Sequence, residues 1–252
     1  MKVLVACEES QVVCKAFREK GHEAYSCDII ECSGGHPEWH IQGDVLKILN
    51  PSCHKVLEGG TPTGDCSQKG VVKDWKGITF HTMDGKLHII EGKWDMIIAF
   101  PPCTHLCVSG ARHFEKKRAD GRQREGIEFF CQFLNADCEK ISIENPVGII
   151  GGNYITEHFQ DLAQKYNLPI KPTQKIQPYE FGHPYSKTTC LWLKGLPKLQ
   201  STKVLEKPEG GWVNQCFTKD GRYGGFASNF QTSAERSKTF EGIGQAMAEQ
   251  WG

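Results

Sequence analysis

The 252-residue chain carries 30 Lys and Arg against 30 Asp and Glu, which excludes a polycation that coats nucleic acid and confines any such contact to a local patch. Its longest apolar runs, WDMIIAF and CLWL, are too short to cross a bilayer, and MKVLVACEES turns acidic before a signal core can form. The expectation is therefore a cytoplasmic protein with no membrane segment, a monomer, and large enough for one substantial α/β domain.

In chain order, KVLVAC (2–7) reads as a buried parallel strand. Val12, Val13, Ala16 and Phe17 fall on one helical face, and Gly21 closes it. HEAYSCDI is a second strand ending in Asp28, and IQGDVLKIL is a shorter unit carrying Asp44. Strand, helix, strand with short links opens a βαβ fold. Residues 50–93 read as an inserted loop plus a β-hairpin at Asp84-Gly85. WDMIIAF is again a strand. REGIEFFCQFLNA is a helix through Ile127, Phe130, Cys131 and Leu134, and KISIENP is a strand. TEHFQDLAQKY is a helix through Phe159, Leu162, Ala163 and Tyr166. Residues 197–235 form an irregular module, and GIGQAMAEQW is a last helix. The pattern predicts a doubly wound, mostly parallel α/β sheet over 1–196 and 236–252. Of the twelve cysteines, Cys7, Cys14, Cys131 and Cys190 sit inside apolar segments, as reduced buried thiols do.

Chemistry concentrates in AFPPCTHLCVSGARHFEKKRADGRQR (99–124). A strand ends at Phe100, two prolines force an extended turn, and Cys103 follows at the carboxyl end of that strand, where open α/β sheets bind ligands. A rigidly held cysteine there is a candidate nucleophile; a turn cysteine without a role is the competing reading. From Arg112 to Arg124 the chain has six Lys or Arg against two acids. Ser109, Arg112, His113, Arg118, Arg122 and Arg124 are candidate DNA contacts on a loop able to close over a phosphate backbone. The same charge is expected to favour the thiolate of Cys103.

In ISIENPVG (141–148), Glu144 ends the next predicted strand and so lies on the same sheet edge as Cys103. A thiolate that adds to a ring carbon pairs well with a carboxyl group that protonates or hydrogen-bonds a ring nitrogen. Seen alone, Glu144 would read as a turn cap or a surface ion pair.

Together, Pro101-Pro102-Cys103 and Glu144-Asn145-Pro146 resemble the nucleophile and glutamate motifs of the DNA (cytosine-5)-methyltransferases, especially short phage and prophage members. The start of the chain and GIGQAMAEQW are similar to that family's cofactor half and closing helix. The resemblance implies a sheet of the S-adenosylmethionine-dependent methyltransferase (Rossmann-like) type, with 197–235 as a small target-recognition-like module. It implies double-stranded DNA as partner, S-adenosylmethionine as donor, a Cys103–C6 adduct, Glu144 at N3 and the exocyclic amine, and base flipping. It places Asp28 at the cofactor ribose, Asp44 at the adenine, Phe100 and Pro102 in the cofactor pocket, and Gln245 and Ala246 closing it. Cys7, Glu8, Ser10 and Ile29 complete the cofactor set, with Glu8, Ser10 and backbone groups replacing the family's glycine-rich turn. Lys187 replaces an arginine that the family carries after a glutamine such as Gln177.

The same residues admit other chemistries. Cys103 and Cys107, or Cys53, His54 and Cys66, have zinc-like spacing but lack a clean second knuckle, so no metal is expected. A nicotinamide enzyme would need Gly-x-Gly-x-x-Gly after the first strand. A thymidylate-synthase-like enzyme would not open with βαβ. RNA cytosine methylation and a non-catalytic DNA- or cofactor-binding relative stay open.

Overall fold

The computed structural model describes residues 1–57, 72–209, 211–214 and 237–252. β1 (Lys2–Ala6) is buried on both faces, as KVLVA requires, and leads into α1 (Val12–Glu19). α1 ends where Gly21, at φ 81°, turns the chain and its N–H returns to the Arg18 carbonyl at 2.9 Å. β2 (Glu23–Asp28) and β3 (His40–Gln42) follow. β4 (Ser52–Leu57), β5 (Val72–His81) and β6 (Leu87–Glu91) form a separate antiparallel sheet. β7 (Met96–Ala99) re-enters the main sheet and is followed by α2 (Phe114–Ala119), α3 (Arg122–Leu134) and β8 (Lys140–Pro146). The rest comprises α4 (Tyr154–His158), α5 (Gln160–Tyr166), β9 (Gln174–Ile176), β10 (Tyr185–Ser186), β11 (Thr189–Lys194), β12 (Val213–Asn214) and α6 (Glu241–Trp251).

The main sheet has seven strands in the order β3-β2-β1-β7-β8-β11-β9. β3, β2, β1, β7 and β8 are mutually parallel, and β11 runs antiparallel to both β8 and β9. The expected mixed α/β, mostly parallel sheet is present. Val3, Val5, Met96, Ile98 and Leu191 pack with α1 and α6 residues such as Phe17 and Met247. Leu4, Ile97, Ile141 and Ile143 pack on the other side with Ile127, Phe130 and Leu162 of α3 and α5. Each such side chain, fully buried, contributes about 1.5–3 kcal/mol before conformational entropy is charged against it. Chain order reverses between β1 and β7, so the crevice for a ligand opens outside their carboxyl ends.

Three local expectations need correction. Residues 50–93 hold a three-stranded sheet, not a loop plus hairpin. The hairpin itself stands, with Gly85 at φ 84° between paired His81 and Leu87. The sheet is amphipathic: Ile78, Phe80 and Ile90 are buried, and Phe80 meets the Tyr25 ring edge-on at 4.9 Å. The predicted helix through Phe159 is two helices, because Phe159 leaves the helical region (φ −139°, ψ 56°) with its ring 4 % exposed. Within the basic run, α2 is an additional short helix. Of the irregular module, residues 210 and 215–235 lie outside the described residues, as do 58–71 of the insertion.

Candidate active site

The β1–α1 turn contains no glycine, yet Cys7 (φ 59°) and Gln11 (φ 58°) take the left-handed conformation that glycine usually supplies. Each costs about 1–2 kcal/mol. Side-chain bonds compensate. Gln11 is fully buried; its amide donates to the His36 carbonyl at 2.8 Å, and its oxygen accepts the His36 N–H at 3.0 Å. It also donates to the Ser26 hydroxyl, which contacts His40 Nδ1 at 2.9 Å, and His40 Nε2 donates to the Ile30 carbonyl at 3.0 Å. This network pins the loop after β2 against the turn.

Glu8 points at α1, accepting the N–H groups of Val13 (2.6 Å) and Cys14 (3.2 Å). Burial pushes its carboxyl up to about 7, while the two N–H bonds pull it down. Glu8 and Ser10, at 4 % and 6 % exposure, are thus enclosed by the turn. The crevice side holds Cys7, Asp28 and Asp44: burial, then Asp28, Cys27 and Asp44, all push the Cys7 thiol upward, so these groups share one neighbourhood. The Asp28 carbonyl receives the Gly43 N–H at 2.8 Å, tying β2 to the β3 end, and Asp44 accepts the Leu46 N–H at 3.0 Å. Ile29 is 75 % exposed beside Asp28. On α6, Gln245 is exposed while Ala246 is fully buried in the helix–sheet core.

On the other side of the switch point, the Phe100 N–H bonds the Ala6 carbonyl at 2.9 Å, carrying the β7 alignment into Pro101-Pro102-Cys103. Phe100 is half-buried, Pro101 buried and Pro102 exposed. The Cys103 carbonyl accepts the N–H groups of both Leu106 and Cys107 at 2.9 Å, closing one turn. Ala99 of β7 pairs with Ile143 of β8, so Glu144 stands one step beyond the end of β7. β11 is reversed and therefore begins at this same edge, with Thr189 opposite Pro146.

Electrostatics ties these groups together. Burial pushes the Cys103 thiol up to about 11; Cys107 and Glu144 add to the rise, and Lys187 opposes it. Burial also raises Glu144, against Lys187 and a hydrogen bond with Thr189. Lys187 is thus the cation acting on both. Its N–H donates to Gln177 Oε1 at 3.0 Å, and Gln177 Nε2 donates to Thr188 Oγ1 at 2.7 Å. The expectation that the basic run favours the thiolate is overturned: the Cys103 thiol is raised, and the opposing charge comes from Lys187.

Two residues to which the sequence assigns no role of their own, Asn145 and Gly148, lock the site. The amide of Asn145, 2 % exposed, donates to the Pro101 carbonyl at 2.7 Å. Past Pro146, the Val108 N–H donates to the Val147 carbonyl at 3.1 Å and the Ile149 N–H to the Leu106 carbonyl at 3.0 Å. Gly148 lies inside this stitch, where a Cβ would come within 2.5 Å of the Leu106 oxygen. The signal available was the Asn and Gly of ENPVG, whose partners are set only by folding.

The basic run is partly committed within the chain. Lys117, buried, donates to the Thr104 carbonyl, and fully buried Gln123 donates to the His105 carbonyl, so the Cys103 loop is held rather than loose. Arg118 donates to the Tyr154 hydroxyl at 2.6 Å, Arg122 pairs with Asp120, and Arg124 grips Asp161 with two bonds of 2.7 and 2.9 Å. Arg112 and His113 are exposed and bonded to each other, and Ser109 contacts the Cys107 sulfur at 3.1 Å.

Among the described residues no group of three or more His, Cys, Asp or Glu could hold a metal ion; Cys66 lies outside them. None of their helices is long and apolar enough to cross a membrane. By sequence, the chain matches no protein-family profile and no curated protein.

Proposed function

We propose that the chain is a DNA (cytosine-5)-methyltransferase that uses Cys103 as nucleophile and S-adenosylmethionine as donor. The observation that carries the reading is the pairing of Cys103 and Glu144 at adjacent strand ends, electrostatically coupled and sharing Lys187. The sheet is compatible with the reading: five parallel strands with a switch point between β1 and β7 form the Rossmann-like frame that such an enzyme needs.

The residues of the cofactor half also fit this donor. In dinucleotide folds a pyrophosphate lies at the N-terminus of the first helix. Here Glu8 already occupies the Val13 and Cys14 N–H groups, which leaves fewer free donors for a pyrophosphate than a dinucleotide site needs. Asp28 would hold ribose hydroxyls, Asp44 would meet the adenine, and the exposed Ile29 offers its flat apolar contact. Bound there, S-adenosylmethionine would supply an electrophilic methyl group.

The chain's own residues would then act as follows. The thiol is protonated in the free protein at neutral pH, so its proton must leave as the base docks. Glu144, the carboxylate among the groups acting on the thiol, would take that proton and pass it to N3 as sulfur adds. Sulfur adds to C6, and the C5–C6 π electrons move to C5 as Glu144 supports N3. C5 would take the methyl group; its proton would then pass to a solvent water, the C5–H electrons would re-form the C5–C6 double bond, and the S–C6 bond would break with its electron pair returning to Cys103 and the N3 proton to Glu144. Lys187 balances the negative charge that passes between sulfur and carboxylate.

The test is nucleoside mass spectrometry of unmodified duplex DNA incubated with protein and S-adenosylmethionine, with Cys103→Ser as control. The expected result is 5-methylcytosine that vanishes in the variant. Product unaffected by the substitution sinks the nucleophile assignment; product on transfer RNA alone moves the substrate to RNA.

A further inference from the structure

A cleft lies on the outer side of α1. Its walls include Lys15, Arg18, Glu19 and His22 from α1 and the turn after it, and His36 and Trp39 from the chain leading into β3. Its volume is about 480 Å³, within the roughly 300–1,000 Å³ of small-ligand sites. His22 directly precedes β2, so the cleft sits toward the amino ends of the strands, whereas Cys103 and Glu144 stand at their carboxyl ends. The His36 and Trp39 rings stack at 3.8 Å and 9°, and the Arg18 guanidinium lies 5.0 Å from the centre of the Trp39 ring. Arg18 Nε donates to the Ala24 carbonyl at 2.7 Å, which fixes that guanidinium. The main chain of His36 is bonded both ways to the buried Gln11 side chain, at 2.8 and 3.0 Å, so the aromatic wall is set before any ligand arrives. The α1 carbonyls at this end are already taken: Phe17 accepts the N–H groups of Lys20 and His22, and Arg18 accepts that of Gly21. Glu38 is bonded to His36 Nδ1 at 2.9 Å. The α1 wall thus presents Lys15 and Arg18, one turn apart, against the single acid Glu19.

We infer that this cleft binds a nucleotide, with the base against the His36–Trp39 stack and the phosphate at Lys15. Aromatic side chains accept any base, because every base has a π-face, and a neighbouring cation holds the phosphate. Lysine suits that part as a compact charge on a flexible stem, able to follow the phosphate to where the stacked base places it. Arg18 adds a second positive charge from beside the indole, while its own position is held by the Ala24 carbonyl. The site stands apart from the reaction proposed for Cys103 and uses none of its residues. A free nucleotide and the phosphorylated end of a single strand offer the same chemistry.

The experiment is isothermal titration calorimetry of the full chain. Its probes are guanosine 5′-monophosphate, guanosine, and a single-stranded hexanucleotide whose first base is guanine and carries a 5′-phosphate. The monophosphate is expected to bind with a Kd of about 100 μM or tighter, and guanosine about tenfold more weakly. Lys15→Ala should bring the monophosphate down to the affinity of guanosine, and Lys15→Arg should restore it. Trp39→Ala should weaken the monophosphate about tenfold, whereas Trp39→Phe, which keeps a ring and guards against a folding defect, should stay within about threefold of wild type. A hexanucleotide that binds more tightly than the monophosphate makes the strand end the ligand; one that binds more weakly makes it the free nucleotide. Excess S-adenosylmethionine should leave the titration unchanged. Binding that S-adenosylmethionine displaces, or that Lys15→Ala and Trp39→Ala both retain in full, belongs to another surface and overturns the cleft. No heat from either phosphorylated probe at about 1 mM overturns it as well.

Discussion

The Asn145 amide donates to the Pro101 carbonyl at 2.7 Å, joining the glutamate-bearing strand to the turn that presents Cys103. A second bond from the same amide, 3.0 Å to the Glu144 carbonyl, orients it. Replacing it with alanine leaves a buried carbonyl without a donor, at a cost of about 1–3 kcal/mol. Under the proposed reaction, Asn145→Ala is expected to lower methyl transfer at least about tenfold while calorimetric binding of the proposed donor, S-adenosylmethionine, is unchanged. Equal loss of binding and turnover would make Asn145 a general stability residue.

Gly148→Ala tests the stitch directly. An added Cβ would lie 2.5 Å from the Leu106 oxygen, and the obstacle is backbone, which cannot swing aside. Overpacking of this kind costs about 1–3 kcal/mol. The variant should unfold at lower urea concentration and lose transfer, whereas Gly110→Ala, facing the end of the Lys117 side chain at 3.1 Å, should be far milder. Indistinguishable midpoints for the two variants would show that the stitch yields.

The Cys103 thiol, pushed up to about 11 chiefly by burial, should resist iodoacetamide at pH 7. Relative to a thiol at the ordinary 9.0, its thiolate fraction is roughly a hundredfold smaller. Peptide mass spectrometry should show alkylation climbing through pH 9 to 11, and Lys187→Met should shift that climb to higher pH, since Lys187 lowers the thiol. Ready modification at pH 7 would contradict the burial account.

Glu8 gives a stability signature with a definite sign. Its folded value, about 7, lies above the ordinary 4.5, so its contribution is full below pH 4.5 and is lost as pH rises through 7. Glu8→Gln cannot ionise. The stability of the variant relative to wild type should therefore grow from pH 5 to pH 8 in urea titrations. A difference that stays constant over this range would mean that Glu8 is not desolvated.

Much of the frame was legible because β1 and β7 are apolar on both faces and β8 opens on the apolar run around Ile141 and Ile143, each giving way at its carboxyl end to residues of a different chemical kind. Two such neighbouring ends are enough to bring Cys103 and Glu144 to one edge. Lys187 reaches them only because β11 runs backwards, and nothing in TCLWLK reports its direction. β9, the mostly polar QKI, carries no periodic signal at three residues. The left-handed Cys7 and Gln11 escape propensity arguments because a buried bonding network, including His36 and Ser26, holds them there. The arginines read as one basic surface because Tyr154 and Asp161, their partners, arrive from α4 and α5.

The inserted sheet does not behave as an accessory. Phe80 and Ile90 sit in the same core as Tyr25 and Ile97, and the Trp94 indole N–H reaches across to the Ile48 carbonyl at 2.7 Å. Deleting 50–93 would therefore strip a wall from the main domain instead of trimming an ornament. In evolutionary terms the stem of the insertion is bound to the scaffold and must drift with it. Freedom to acquire a new specificity falls to positions outside that shared core, so this lineage would diversify at its loops while the inserted strands stay as constrained as the central sheet.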